Sequence, residues 1–192
     1  MRYLAAALAM GCAAAGAQDY PVKPIRIVVA FAPGGPADLV VRPVAQKLHE
    51  LLGQPVVIDY RAGANGVIGA DMVAKSPPDG YTLLATTSSF TISPNTFAKL
   101  PFDTIKDFAP ISLTANSDIA FMVNPVVPAR TLKEFIAVAK GRKNALTYGS
   151  SGTGGSLHLG AEMLKLATGI DMLHVPYKGD SGAPCKYAMN MA

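Results

Sequence analysis

Hydrophobic runs and amphipathic stretches alternate in the first half of the chain. The run at 25–31 is rich in β-branched residues and almost continuously apolar, as is typical of a strand buried on both faces of a parallel sheet. From Ala37 to Leu52 apolar side chains recur at every third or fourth position, which predicts an amphipathic helix that Gly53 ends. A strand, a glycine turn and a helix in this order form the first half of a βαβ unit.

The same alternation continues to residue 85. A strand is predicted at 55–58, a turn at 61–66, a helix at 68–75 and a third strand at 81–85. Prolines interrupt the pattern at 88–112, where we expect surface connections and one short helix. The order of these elements predicts an α/β fold with parallel strands.

A second series of the same kind follows an apolar run at 119–123. Two prolines beyond this run mark a crossover, and Thr131 with Glu134 forms a capping box that starts a helix. A strand, a glycine-rich turn, a further helix and a further strand are predicted between residues 145 and 175. We therefore expect two α/β lobes.

The N-terminus has the order of a secretory signal. Arg2 supplies a positive charge, a short apolar stretch follows, and small residues lead to Ala17, after which we expect cleavage. Gly11 and Gly16 interrupt the apolar stretch, which is shorter than the roughly 18 residues that a transmembrane helix needs. Cys12 leaves lipidation as an alternative. We expect soluble export to the periplasm.

The charge pattern gives no support for nucleic-acid binding. The net charge is +4 at pH 7, and the Lys and Arg residues are scattered without a run of three. Of the two cysteines, Cys12 lies in the predicted signal, so that only Cys185 remains and no internal disulfide can form. We expect no nucleic-acid partner, and a stability that depends on the apolar core.

Two glycine turns, at 31–38 and 149–158, stand between a predicted strand and a predicted helix. The first N–H groups of a helix have no partner within it and the helix dipole is positive there, so an anion binds without a charged side chain. Each turn alone is equally well explained as an ordinary βα turn that needs positive φ angles. Because each lobe has one, we favour a ligand cleft. A third glycine turn, at 61–69, is interpreted as architectural.

Catalytic interpretations of the second turn fail on residue spacing. A nucleophile elbow would need glycine at Thr153, and a dinucleotide fingerprint would need glycine or alanine at Leu157. We interpret His158 and His174 as structural partners rather than as ligands or bases. Asp38 is expected to brace its loop through backbone N–H groups, with direct ligand contact as the alternative.

Short sequence stretches spread over most of the chain resemble one known family. In chain order they are YPVKPIRIVV at 20–29, FAPGG at 31–35, LGQPVV at 52–57, GANG at 63–66, PDGYTLL at 78–84, LPFD at 100–103, YGSSG at 148–152 and HVPYKG at 174–179. Together they resemble the receptor proteins of tripartite tricarboxylate transporters, also called the Bug family of extracytoplasmic solute receptors. The resemblance covers nearly all of residues 20–179.

This resemblance implies a type II periplasmic binding protein fold, in which two Rossmann-like lobes joined by a hinge close on a small carboxylate. The expected boundaries are 1–17 for the signal peptide, 18–123 for the first lobe and 124–179 for the second, with the hinge near 123–128. The implied partners are this carboxylated ligand and the membrane subunits of a tripartite tricarboxylate-type transporter. Neither a cofactor nor a metal is implied, and the protein is not expected to be an enzyme.

The resemblance also implies that backbone and hydroxyl groups of the two glycine turns hold the carboxylate. Carried onto this chain, the site residues are Phe31, Ala32, Gly34, Gly35, Ala37 and Asp38 in the first lobe, with Ser88 and Ser89 as additions, and Ser150, Ser151, Thr153, Gly154 and His158 in the second.

The chain departs from the family pattern in two places. The resemblance is lost at 180–192, so we expect a fold left incomplete by truncation or a frameshift. Pro43 is expected to strain the first helix, because it removes the hydrogen bond to Leu39. The alternatives to a working receptor are a truncated copy that binds nothing and an α/β hydrolase or transferase.

Overall fold

The computed structural model describes residues 19–116, 118–141 and 146–177, together with the strand residues 190 and 191. The predicted signal peptide, Cys185 and most of the stretch at 180–192 lie outside the described residues. Within the described ranges, no helix is both long enough and apolar enough to cross a membrane.

The first lobe is built on a three-stranded parallel sheet. Its strands are β1 (Ile25–Val29), β2 (Val56–Tyr60) and β3 (Thr82–Ala85), and β1 lies between the other two. Val28 and Val29 are fully buried, which explains why β1 is apolar at successive positions. Because β2 and β3 flank β1 on opposite sides, the carboxyl ends of β1 and β3 form a switch point, where open α/β sheets bind ligands.

Two helices and a 3₁₀ turn connect these strands, and a third helix follows β3. They are α1 (Pro36–Leu52), the 3₁₀ turn Ala64–Gly66, α2 (Val67–Ala74) and α3 (Ser89–Thr96). Gly53 ends α1 in the left-handed conformation, with a φ of 65°, and its N–H donates to the carbonyl of His49. The predicted end of α1 is therefore confirmed. Helix α3 is the short helix expected at 88–112.

The second lobe consists of α4 (Leu132–Gly141), β4 (Leu146–Ser150), α5 (Ser156–Thr168), β5 (Leu173–Pro176) and β6 (Asn190–Met191). Strand β4 pairs in parallel with β5 and in the antiparallel sense with β6. Phe135, Leu146 and Met172 lie at the centre of its apolar core. Both lobes combine a sheet with helices, which confirms the predicted α/β class. Strand β6 lies within 180–192, the stretch predicted to depart from the family pattern, yet it pairs with β4.

The capping box of α4 is present in modified form. Oγ1 of Thr131 accepts the N–H of Glu134 at 3.2 Å, as predicted. The carboxylate of Glu134, however, accepts the N–H of Arg130 at 2.7 Å, one residue before the position that the standard box uses. Both bonds still satisfy backbone donors at the start of the helix.

A long connection at 97–131 joins the lobes. In its described part it contains neither helix nor strand apart from an isolated bridge at Val123. The rings of Phe90, Phe102 and Phe108 pack with centroids 5.0–6.0 Å apart and fasten the start of the connection to α3. Past this aromatic cluster, the side chain of Phe121 is half exposed.

Candidate ligand-binding site

The first glycine turn links the carboxyl end of β1 to the start of α1. Gly34 has a φ of 83°, in the left-handed region that glycine adopts without strain. Gly35 is the N-cap of α1, with a φ of −86° and a ψ of 176°, and no side chain caps this helix. Pro36, at the first helical position, has no N–H to satisfy. The start of α1 is thus left to backbone donors.

Asp38 holds this turn in place. Its side chain is 2% exposed, and its Oδ2 accepts the N–H of Gly34 at 2.7 Å. Its Oδ1 accepts the hydroxyl of Tyr60 at 2.6 Å and Nε of Arg42 at 2.9 Å. The bond from Tyr60, aided by Gly34 and Arg42 and opposed by burial, keeps the pKa of Asp38 below its usual range. The expected bracing role of Asp38 is confirmed.

Two backbone donors remain at this helix start. The N–H of Asp38 donates to the carbonyl of Gly35, while among the described residues the N–H groups of Gly35 and Ala37 have no partner. The positive end of the helix dipole lies at the same place. Arg42 offsets the charge of Asp38, so the turn has the chemistry to hold an anion.

The second glycine turn, between β4 and α5, repeats this geometry. Gly154 has a φ of 79°, and Gly155 is the N-cap of α5 with a φ of −83° and a ψ of 172°. Nδ1 of His158 accepts the N–H of Gly154 at 3.0 Å, as the carboxylate of Asp38 accepts that of Gly34. Each lobe therefore has a glycine pair braced by the side chain of the third residue after the pair. Sequence reasoning misses this equivalence because one brace is a carboxylate and the other an imidazole.

A polar network lies beneath the second turn. The rings of His158 and His174 stack with their centroids 4.1 Å apart, and Nε2 of His174 is 2.7 Å from Oγ of Ser150. Burial, followed by the charge of His158, lowers the pKa of His174. The hydroxyl of Ser150 also donates to the carbonyl of Gly152. Both histidines therefore have structural partners, as predicted.

The contact between Ser150 and His174 has the distance expected of a nucleophile and its base. Sequence reasoning finds no such pair, since the two residues lie on different strands at no recognised spacing. Ser150 is 0% exposed, and its hydroxyl is engaged with the backbone of its own turn. Burial keeps this hydroxyl away from a substrate, so the geometry favours a brace over a catalytic pair.

A further pair fastens α5 to β4. The hydroxyl of Tyr148 donates to Oε1 of Glu162 at 2.6 Å, and Nζ of Lys165 lies 2.9 Å from the same oxygen. Burial and then the bond to Glu162 raise the pKa of Tyr148. Burial alone would raise the pKa of Glu162, but Tyr148 and Lys165 together lower it. The charge of Glu162 is therefore retained close to the histidine stack.

The second turn faces polar side chains of the first lobe. A Cβ on Gly155 would lie 3.1 Å from Oδ1 of Asn65 and 3.4 Å from Oγ of Ser89. A Cβ on Gly154 would lie 3.0 Å from that of Thr96. Glycine at both positions thus permits the close approach of the two lobes.

The predicted site residues fall into three groups by position. Around the first turn lie Phe31, Ala32, Gly34, Gly35, Ala37 and Asp38; around the second lie Ser151, Thr153 and Gly154, with Ser150 and His158 beneath it. At the start of α3, Ser89 is buried against the second turn, whereas Ser88 is exposed.

Sequence reasoning misses Asn65 and Thr96. The turn at 61–69 is architectural in part, because a Cβ on Gly69 would lie 2.9 Å from Cα of Ala30. The same turn, however, places the amide of Asn65 against the second lobe. An Asn-Gly pair does signal a left-handed turn, but no local pattern reveals a contact with a distant part of the chain.

The donors at the two glycine turns and beside them suit an anion. They consist of backbone N–H groups at two helix starts, hydroxyl groups and one amide. In the described part of the chain, no three side chains of His, Cys, Asp or Glu come together as they would around a metal ion. We therefore find chemistry for a carboxylate and, within those ranges, no cluster suited to a metal.

Two α/β lobes that meet at a glycine turn agree with the fold of the periplasmic binding proteins among the similar solved structures. The model of the "Tripartite tricarboxylate transporter family receptor" matches residues 40–187. The chain belongs to this family.

Individual relatives agree with this assignment. A UPF0065 protein of Bordetella pertussis is 40% identical over 178 residues, which are 91% of this chain and 54% of the relative. A solved periplasmic transporter is 44% identical with a TM-score of 0.76, covering 88% of this chain and 57% of that one. Rpa4515 of R. palustris, solved with adipate, is 34% identical with a TM-score of 0.75, covering 84% and 54%. The chain thus spans about half the length of these relatives.

Proposed function

We propose that this protein is a solute-binding receptor that captures a small carboxylate in the periplasm for a tripartite tricarboxylate-type transporter. The observation that carries the proposal is the repeated turn: in each lobe a glycine pair with the same backbone angles opens a long helix whose start has no side-chain cap. Such helix starts are anion sites in many unrelated proteins.

The braces beneath the turns explain how they would hold an anion. Asp38 and His158 each bind the N–H of the first glycine of the pair, which fixes the loop before a ligand arrives. A site that is ordered in advance loses less conformational entropy on binding. The remaining N–H groups, with the hydroxyls of Ser151 and Thr153, would then receive the carboxylate.

The proposed periplasmic location is supported by the family and by the predicted signal at 1–17. The proposed transporter partner is supported by the family. One similar structure is a periplasmic transporter, and another was solved with adipate. A dicarboxylate of similar length is therefore the first ligand to test. Membrane subunits of the transporter are the proposed partner, and ligand capture without chemical conversion is the proposed activity.

Calorimetric titration of the purified protein with acetate, adipate and citrate tests the proposal. We expect at least one of these carboxylates to bind. Ser151→Ala and Thr153→Val should each weaken its affinity by about tenfold, because each removes one hydrogen bond to a charged group. Ser112→Ala, which removes an exposed hydroxyl far along the connecting segment, is the matched control and should bind as the wild type does.

Two outcomes would contradict the proposal in different ways. A protein that unfolds cooperatively yet binds no carboxylate would favour the copy that binds nothing. Turnover of an ester substrate that is lost in Ser150→Ala would instead favour the hydrolase.

A further inference from the structure

Asn65 lies in an unusual backbone segment of the first lobe. Four successive residues, from Gly63 to Gly66, have positive φ angles, and those of Ala64 and Asn65 are 46° and 54°. Non-glycine residues rarely adopt this region, and such residues cluster at ligand sites and switches. The N–H of Gly66 donates to the carbonyl of Gly63 at 3.0 Å and holds the segment in this form.

This backbone directs the Asn65 amide into the contact between the lobes. A Cβ on Gly155 would lie 3.1 Å from Oδ1 and 3.2 Å from Nδ2 of Asn65, and one on Gly152 would lie 4.0 Å from Oδ1. The amide therefore rests on the backbone of the second glycine turn, with Oγ of Ser89 beside the same glycine. The Asn65 side chain thus lies near two glycines of that turn, Gly152 and Gly155.

The amide has no hydrogen-bond partner within the described residues. Both Nδ2 and Oδ1 are buried, and neither has a partner there. Most buried polar side-chain atoms in proteins are hydrogen-bonded, so an amide with both ends unpaired requires an explanation. An amide supplies two donors and one acceptor oxygen, and its position beside the N-cap of α5 is where the proposed carboxylate would lie.

We propose that Asn65 is a ligand-binding residue that donates from Nδ2 to the carboxylate held by the second glycine turn. This inference rests on the proposed function and names a residue of that site. Binding would satisfy a buried donor of the first lobe with a ligand seated on the second, and would thereby couple ligand occupancy to the contact between the lobes. The alternative is that Asn65 is present only because asparagine tolerates the left-handed conformation.

Two substitutions separate these explanations. Asn65→Gly keeps a residue that adopts positive φ without strain but removes the amide, so the unliganded protein should melt no lower than the wild type. Its affinity for the tightest binder among acetate, adipate and citrate should fall by about tenfold or more. Asn65→Asp keeps the shape, replaces the donor with a second negative charge, and should bind more weakly still.

Asn95→Asp, which adds the same charge at an exposed position of α3, is the matched control and should bind almost as the wild type does. If the wild type binds and Asn65→Gly binds within about twofold of it, the inference is overturned and the proposed function stands. A twofold change is smaller than the contribution of one neutral hydrogen bond. If the wild type binds none of the three, the proposed function fails and the inference falls with it.

Discussion

At the scale of single residues, the two glycine turns are braced by groups with different chemistry. Asp38 stays charged over the physiological range, because Tyr60, Gly34 and Arg42 lower the pKa of its carboxyl. His158 is an imidazole stacked on His174, and burial, followed by the charge of His158, lowers the pKa of His174. We expect the first turn to be insensitive to pH near neutrality and the second to be sensitive.

Tyr60→Phe tests the first brace. The change removes the hydroxyl that donates to the buried carboxylate of Asp38 at 2.6 Å, and should lower the free energy of unfolding by about 1–2 kcal/mol. The wild type should lose stability as the pH falls below 3.8 through the lowered pKa of Asp38. That acid loss should be smaller in the variant.

Urea unfolding at pH 7 and at pH 3 measures both effects. Tyr20→Phe removes an exposed hydroxyl that donates to the carbonyl of Gly80 and serves as the control, with an expected change of less than about 0.5 kcal/mol. A change in Tyr60→Phe as small as that of the control would show that Asp38 is held without Tyr60.

His174, in the polar network beneath the second turn, should make the stability of the protein depend on pH. Burial and the charges of His158 and Lys165 lower the pKa of His174, against the opposing charge of Glu162. At pH values between this lowered pKa and 6.5, the unfolded chain binds more protons than the folded one. The free energy of unfolding should therefore fall as the pH drops below 6.5. His174→Asn removes the titrating ring and should flatten this dependence.

Urea unfolding at pH 7.5 and pH 5.5 provides the measurement. His49→Asn, which replaces an exposed imidazole at the end of α1, is the control and should keep the loss of stability between pH 7.5 and pH 5.5 that His174 produces. An equal slope in His174→Asn and the wild type would show that another group titrates in this range.

At the scale of elements, α1 carries the clearest conflict between sequence and structure. Pro43 lies inside the helix, where it cannot donate to the carbonyl of Leu39. The helix nevertheless runs from Pro36 to Leu52, because Val41 and Ala45 bury its inner face against the sheet. Tertiary packing therefore outweighs the local propensity.

Pro43→Ala should stabilise the protein. Restoring the hydrogen bond to the carbonyl of Leu39 removes a penalty of up to about 3 kcal/mol. The unfolded state is more flexible with alanine than with proline at this position, which reduces the gain by about 0.4–1 kcal/mol. We expect a net gain of about 1–2.5 kcal/mol in urea unfolding. Gln46→Ala, on the exposed side of the same helix, controls for general helix propensity. A loss of stability in Pro43→Ala would mean that the helix has adapted to the proline.

Elements with a strong local signal could be predicted from the sequence. The apolar run of β1, the periodicity of α1 and the glycine that ends it are confirmed, since each depends on neighbours in the chain. The return bond of the α4 capping box falls one residue away from its expected place. Such ends depend on packing, which periodicity does not encode.

The candidate site also contains local features that the sequence predicts and long-range contacts that it does not. Both glycine turns were predictable, because a strand, glycines and a helix follow one another in the sequence. Asn65 and the pair of Ser150 with His174 were not, because their contacts join elements far apart along the chain. Long-range side-chain contacts therefore mark the limit of reasoning from one sequence.

At the scale of the whole molecule, the contact between the lobes depends on the absence of a side chain at Gly155. Its φ of −83° and ψ of 172° are open to any residue, so alanine would strain no backbone there. An added Cβ would instead meet the amide of Asn65 and the hydroxyl of Ser89 at 3.1 Å and 3.4 Å. The substitution would therefore act on the meeting of the lobes and not on the fold of either.

Gly155→Ala should accordingly leave the melting temperature of the unliganded protein nearly unchanged. It should weaken carboxylate binding by about tenfold, which is the cost of a small misfit in a packed contact.

Gly160→Ala, on the same helix, is the control, because its Cβ would lie at an ordinary 3.8 Å from Phe121. This variant should bind as the wild type does and gain about 0.5–1 kcal/mol of stability. Combining Gly155→Ala with Asn65→Gly removes the clashing amide, so the two losses of affinity should not add. Strict additivity in calorimetry would show that Gly155 and Asn65 act on the ligand independently, and that the lobes do not close through this contact.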